Sequence, residues 1–144
     1  MAFPDPELGL VISYSYLWHH EHNAGREEGA KDRPCVIVLS VRRPTRDVVT
    51  VRVAPVTHRP PGNPHTAFEL PAAVKRHLGL DTERSCVILD EVNEFAWPGY
   101  DLRPIGKSHD RYAYGFLPPR LFNALLLRLG AVWQAGLGKA TPRD

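Results

Sequence analysis

Two runs of β-branched residues stand close together in this chain and decide much of what it can fold into. PCVIVLSV (34–41) is continuously apolar and reads as a strand buried on both faces. VVTVRVAPV (48–56) turns Val49, Val51 and Val53 one way and Thr50 and Arg52 the other, again a strand. Only RRPTRD lies between them, a turn-forming segment. The expectation is an antiparallel hairpin, which brings the start of the first strand and the end of the second to one rim.

Fourteen prolines punctuate the chain into short elements. GLVISYSYLW (9–18) alternates Val11, Ser13 and Ser15 against Ile12, Tyr14 and Tyr16, the pattern of a half-buried strand. The polar HHEHNAGREEGAKD (19–32) reads as a long loop, as does THRPPGNPH (57–65) with its three prolines. TAFEL is a short strand. LPAAVKRHLGL is a short helix, with Pro71 in the first turn and Gly79 at the stop. SCVILDEV (85–92) is the next strand, NEFAWPGYDLRPIG an extended segment broken at Pro98–Gly99, and YAYGF a further short strand. In PPRLFNALLLRLGAVWQAG (118–136), Leu121, Leu125, Leu129 and Val132 recur at helical spacing, widened by Phe122, Leu126 and Trp133. Many short strands, one small internal helix and a C-terminal helix predict a single mainly β domain, a curved antiparallel sheet or open barrel closed by that helix.

No apolar run reaches the length that spans a membrane. The N-terminus lacks the basic-then-apolar order of a secretory signal, so the expected compartment is the cytoplasm. Cys35 and Cys86 each sit inside an apolar run and read as buried thiols. The net charge of +2 hides strong segregation. Residues 31–62 carry seven basic and two acidic groups, and residues 102–144 the same, while the segments before each are mostly acidic. Two basic segments brought together make a patch that attracts phosphates; kept apart, they are ordinary solvated faces.

Three histidines and a glutamate in HHEH (19–22) suggest metal ligands, but the spacing is poor and no second pair completes a site. No metal or other cofactor is expected. His19, His20 and His22 remain candidates for proton transfer. Arg33 ends the long loop as a buried strand begins, and Thr57 ends the neighbouring strand. At one rim they offer an arginine fork and a hydroxyl, the donors a phosphate needs. The plainer alternative pairs Arg33 with Asp32 or Glu28 and leaves Thr57 capping a turn.

The ordered set Gly9, Glu28, Arg33-Pro34, Pro55-Val56-Thr57 and Asp90-Glu91, followed by the C-terminal helix, resembles the MazF/PemK-type toxins of bacterial toxin–antitoxin pairs over residues 8 to 135. His58 stands where a second small hydroxyl residue often follows the threonine in that family. The resemblance implies an SH3-like antiparallel barrel of the MazF/PemK/CcdB kind. It also implies a homodimer that cuts single-stranded RNA without a metal and is inhibited by a small antitoxin. In that chemistry the ribose 2′-OH attacks the adjacent phosphorus and leaves a cyclic phosphate and a 5′-OH. Arg33 would face the dianionic phosphorane, Thr57 would bond a non-bridging oxygen, and Glu28 or a loop histidine would act as base. The RNA-contacting set so implied is Tyr14, Tyr16, Trp18, His19, His20, His22, Lys31, His58, Arg59 and Asp90. Phe95, Trp97, Phe122 and Trp133 suggest more apolar surface than one small barrel covers, hence self-association. Two other readings keep the fold: a non-catalytic SH3-like binding module and a gyrase-targeting toxin.

Overall fold

The computed structural model describes residues 3–27, 29, 31–45 and 47–143. The elements run β1 (Leu10–Ser15), α1 (His19–Asn23), β2 (Asp32–Arg43), β3 (Val48–Thr57), β4 (Ala67–Glu69), α2 (Ala72–Leu78), β5 (Cys86–Ile88), β6 (Glu91–Ala96), β7 (Ala113–Phe116), α3 (Pro119–Gln134) and β8 (Lys139–Pro142). The strands form one mainly antiparallel sheet in the order β4-β5-β3-β2-β1-β7. One edge of β3 serves two partners: β6 along Thr50–Val53 and β5 at Val56–Thr57. β8 lies parallel on β6. β4 and β7 end the row without pairing to each other among the described residues, so the sheet is open.

The central strands are apolar on both faces because each face meets a different core. Val36, Val38, Ala54 and Val56 pack under α2 and α3 with Leu78, Phe122 and Leu125. Cys35, Ile37, Val51 and Val53 face the other way, onto Tyr14, Tyr16 and Phe95. Val38 is an extra residue in β2, since the register moves from Ile37–Val53 to Leu39–Arg52, and such a bulge bends the hairpin. The same two-sided burial corrects the reading of β1 as half-buried: all six of its residues are buried, Ser13 and Ser15 included.

The α3 stripe behaves as its spacing predicts. Phe122, Leu125 and Val132 are buried in the first core, with Leu121, Leu126, Leu129 and Trp133 against it. Leu125 is fully enclosed, and truncating such a side chain costs about 2–5 kcal/mol. Gly79 ends α2 at φ 72°, a left-handed conformation that glycine adopts without a Cβ clash. Pro71 caps α2 from just outside rather than filling its first turn.

Further expectations need correction. The loop 19–32 contains α1, closed by the buried Glu21, whose carboxylate accepts the Trp18 N–H at 3.1 Å and pairs with Arg26 at 2.7 Å. SCVILDEV is two strands, with Leu89 and Asp90 crossing between β5 and β6. The sheet also gains β8, beyond residue 135. The aromatic residues from which self-association was argued are largely covered by the chain itself. Phe95 and Phe122 are core residues, Trp97 Nε1 donates to the Pro4 carbonyl at 3.1 Å and Trp133 Nε1 to that of Leu89 at 2.9 Å.

The residue that follows β8 is a buried arginine. Arg143 pairs with Asp101 at 2.9 Å and donates to the carbonyl of Ser15 at 2.9 Å, Asn93 Oδ1 at 3.1 Å and the carbonyl of Glu27 at 3.3 Å. Asn93, itself buried, accepts the Leu17 N–H and donates to the Leu17 carbonyl. This knot ties β1, β6 and the end of the chain together.

Candidate functional site

β2 and β3 pair Cys35 with Pro55, so two residues further along Arg33 stands opposite Thr57 on one rim. Both line a groove of about 670 Å³. Trp18 and His20 of the α1 segment border it, as do Lys31 before β2 and His58 and Arg59 after β3. Pro34, Val56, Leu80 and Ile88 supply apolar lining.

Arg33 is only half-exposed. Its guanidinium lies 5.0 Å from the centre of the Trp18 ring, an attractive cation–π arrangement. Nη1 makes one long contact of 3.5 Å to the Val56 carbonyl. Nε is buried and has no hydrogen-bond partner among the described residues. Burial draws the Arg33 group below its ordinary value, and the charge of Arg59 adds to this, while Cys35, Glu21 and Tyr16 oppose it. A withdrawn, under-bonded guanidinium stands ready for an incoming anion. Thr57 Oγ1 accepts the N–H of Arg59 at 3.1 Å, the turn-capping role of the plainer alternative. Its hydroxyl proton is still available to a ligand.

The other anticipated contact residues divide clearly. Glu28 lies outside the described residues. Tyr14 is fully buried and stacked on Phe95, ring centres 4.8 Å apart, so its ring offers no face to a base. Tyr16 is buried too and donates to Glu91 at 3.0 Å. Burial raises the Tyr16 hydroxyl well above its usual value and also raises the Glu91 carboxyl. The expectation that these two tyrosines contact RNA is therefore corrected: both are packed into the second core. Trp18 keeps partial exposure at the groove.

The three loop histidines diverge. His20 lines the groove, while His22 lines a second cavity beside Arg143. The His19 ring lies 3.2 Å from Asn23 and 3.5 Å from Thr141. They form no common ligand set. Asp90 is half-buried away from the groove, and its carbonyl accepts the Lys139 N–H.

The fold also gathers residues that the sequence did not single out. Asp81 and Glu83, on the segment after α2, come to His58, with ligand atoms of all three within 4.8 Å of one another. Asp81 Oδ2 is 2.7 Å from His58 Nε2 and Glu83 Oε2 is 3.5 Å from Nδ1. No local pattern announces a cluster in which His58 lies more than twenty residues from the other two members. No protein-family model matches the chain, and no curated protein matches it.

Proposed function

We propose that the chain is the toxin of a type II toxin–antitoxin pair, a metal-independent endoribonuclease that cuts single-stranded RNA in the Arg33 groove. The observation that carries this reading is the groove's charge pattern. Its three carboxylates each approach a cation: Glu21 meets Arg26 at 2.7 Å, Asp32 meets Arg103 at 3.9 Å, and Asp81 meets Lys75 at 2.8 Å. Its cations Lys31, Arg33 and Arg59 make no ion pair among the described residues. Positive charge left over in a concave, partly apolar site favours a phosphodiester.

In this reading Arg33 faces the phosphorane that forms when the 2′-oxygen attacks, and the free proton of Thr57 bonds a non-bridging oxygen. Trp18, the one partly exposed aromatic residue of β1's extension, offers a stacking face. The fold is taken as an SH3-like barrel left open between β4 and β7. The protein acts in the cytoplasm as a homodimer, and a small antitoxin covers the groove. Leu8 and Phe116, exposed near the start of β1 and the end of β7, supply apolar surface for the second copy. One observation favours a non-catalytic RNA-binding module instead: Thr57 Oγ1 is already engaged by its own turn.

The test is to incubate the purified protein with a long single-stranded RNA of mixed sequence in EDTA. The expected result is fragments ending in 2′,3′-cyclic phosphate and 5′-hydroxyl. RNA bound but intact supports the binding module, and RNA neither bound nor cut contradicts both readings.

A further inference from the structure

His58 follows Thr57 directly, at the rim of the groove, and its ring is held from behind. Asp81 Oδ2 lies 2.7 Å from Nε2. The other oxygen of the same carboxylate accepts from Lys75 Nζ at 2.8 Å and from the Glu83 N–H at 3.1 Å. Lys75 is 4% exposed and also donates to the Glu83 carbonyl. Its hydrogen bond is the main reason that Asp81 is held below the ordinary carboxylate range. A buried lysine, a backbone N–H and a carboxylate thus fix one edge of an imidazole. Among the described residues, the edge carrying Nδ1 meets only the carboxylate of Glu83, at 3.5 Å, on a side chain that is 72% exposed and free to turn into solvent. No other histidine at the groove has such backing: His20 makes no ion pair with a carboxylate among the described residues.

We infer that His58 is the proton acceptor of the groove's reaction and that Asp81 is the positioning residue behind it. The inference rests on the RNA-cleaving reading above. Accepting the Nε2–H, Asp81 selects the tautomer whose Nδ1 lone pair points outward, the logic by which a carboxylate orients a catalytic histidine. The ribose 2′-O–H proton passes to Nδ1, and the freed electron pair forms the bond to phosphorus. The bond from phosphorus to the 5′-oxygen breaks with both electrons on that oxygen, which takes a proton from water. The hydroxide so formed is neutralised by the imidazolium, which restores the histidine.

The experiment compares wild type, His58→Ala and Asp81→Asn on the same single-stranded RNA in EDTA, with RNA binding followed separately. A transferred proton is worth about 10²- to 10⁴-fold in rate, so His58→Ala should cut that much more slowly at saturating RNA, whatever the change in binding. Added imidazole should restore part of the rate. The His58 side chain is 45% exposed, so its truncation removes little packing; His58→Gln, with no basic nitrogen, serves equally. Asp81→Asn should lower kcat about ten- to a hundredfold per folded molecule, the folded fraction being read from circular dichroism of the same sample, and leave KM unchanged. If wild type cuts RNA and His58→Ala cuts it equally fast, the inference fails and the RNA-cleaving reading stands. If wild type leaves RNA intact, both fail. If EDTA stops cleavage and manganese restores it, His58, Asp81 and Glu83 are cation ligands instead, and the proton-acceptor role is overturned.

Discussion

Arg33 and Arg143 are both withdrawn from water and both lie over an aromatic ring, Trp18 at 5.0 Å and Tyr14 at 5.8 Å. Their partners differ completely. Arg143 has a carboxylate, a side-chain amide and two carbonyls. Arg33 has one long contact to a carbonyl and a buried Nε with no partner among the described residues. Taking a guanidinium out of water is costly, and a structural arginine recovers that cost through its bonds. Arg143 does so from within the chain. Among the described residues Arg33 does not, which supports the proposal that its partner is an RNA phosphate.

The comparison breaks first at Arg143. Arg143→Ala removes the closest cation to Asp101 and leaves Asn93 and the carbonyls of Ser15 and Glu27 short of a donor. Breaking a buried pair in this way should cost about 3–5 kcal/mol, read as a lower urea midpoint at unchanged slope. A midpoint within error of wild type would show that the knot is decorative.

Thr57 gives a smaller effect. Thr57→Ala removes the Oγ1 that caps the turn to Arg59 and the proton offered to a ligand. A neutral hydrogen bond is worth about 1 kcal/mol, so RNA cleavage should slow about fivefold. A loss as large as that for Arg33 would mean that the hydroxyl, not the guanidinium, dominates the site.

The two arginines were not equally legible in the sequence. Arg33 sits between a polar stretch and PCVIVLSV, and the hairpin that joins 34–41 to 48–56 carries it to the rim beside Thr57. Both steps are local. Arg143 is one residue from the end of the chain, and its role depends on Asp101, Asn93 and Ser15, which only the folded sheet brings together. Tyr14 and Tyr16 show the same limit. Alternation put them on one face of β1, but whether that face meets RNA or a second core depends on where Phe95 and Val53 lie. α1 escaped because HHEHN has no apolar stripe; the bond from Glu21 to the Trp18 N–H closes it. β8 escaped because KATP is short, holds a proline and makes a parallel pair across a long separation.

The most direct measurement puts both properties on one sample: the urea midpoint and the RNA cleavage rate of Arg33→Ala. The account predicts stability within about 1 kcal/mol of wild type, because Arg33 returns little to the fold. It predicts cleavage slower by about a thousandfold, because a fixed cation facing the phosphorane is lost. A variant that melts early as Arg143→Ala does, yet cuts RNA at the wild-type rate, would contradict it.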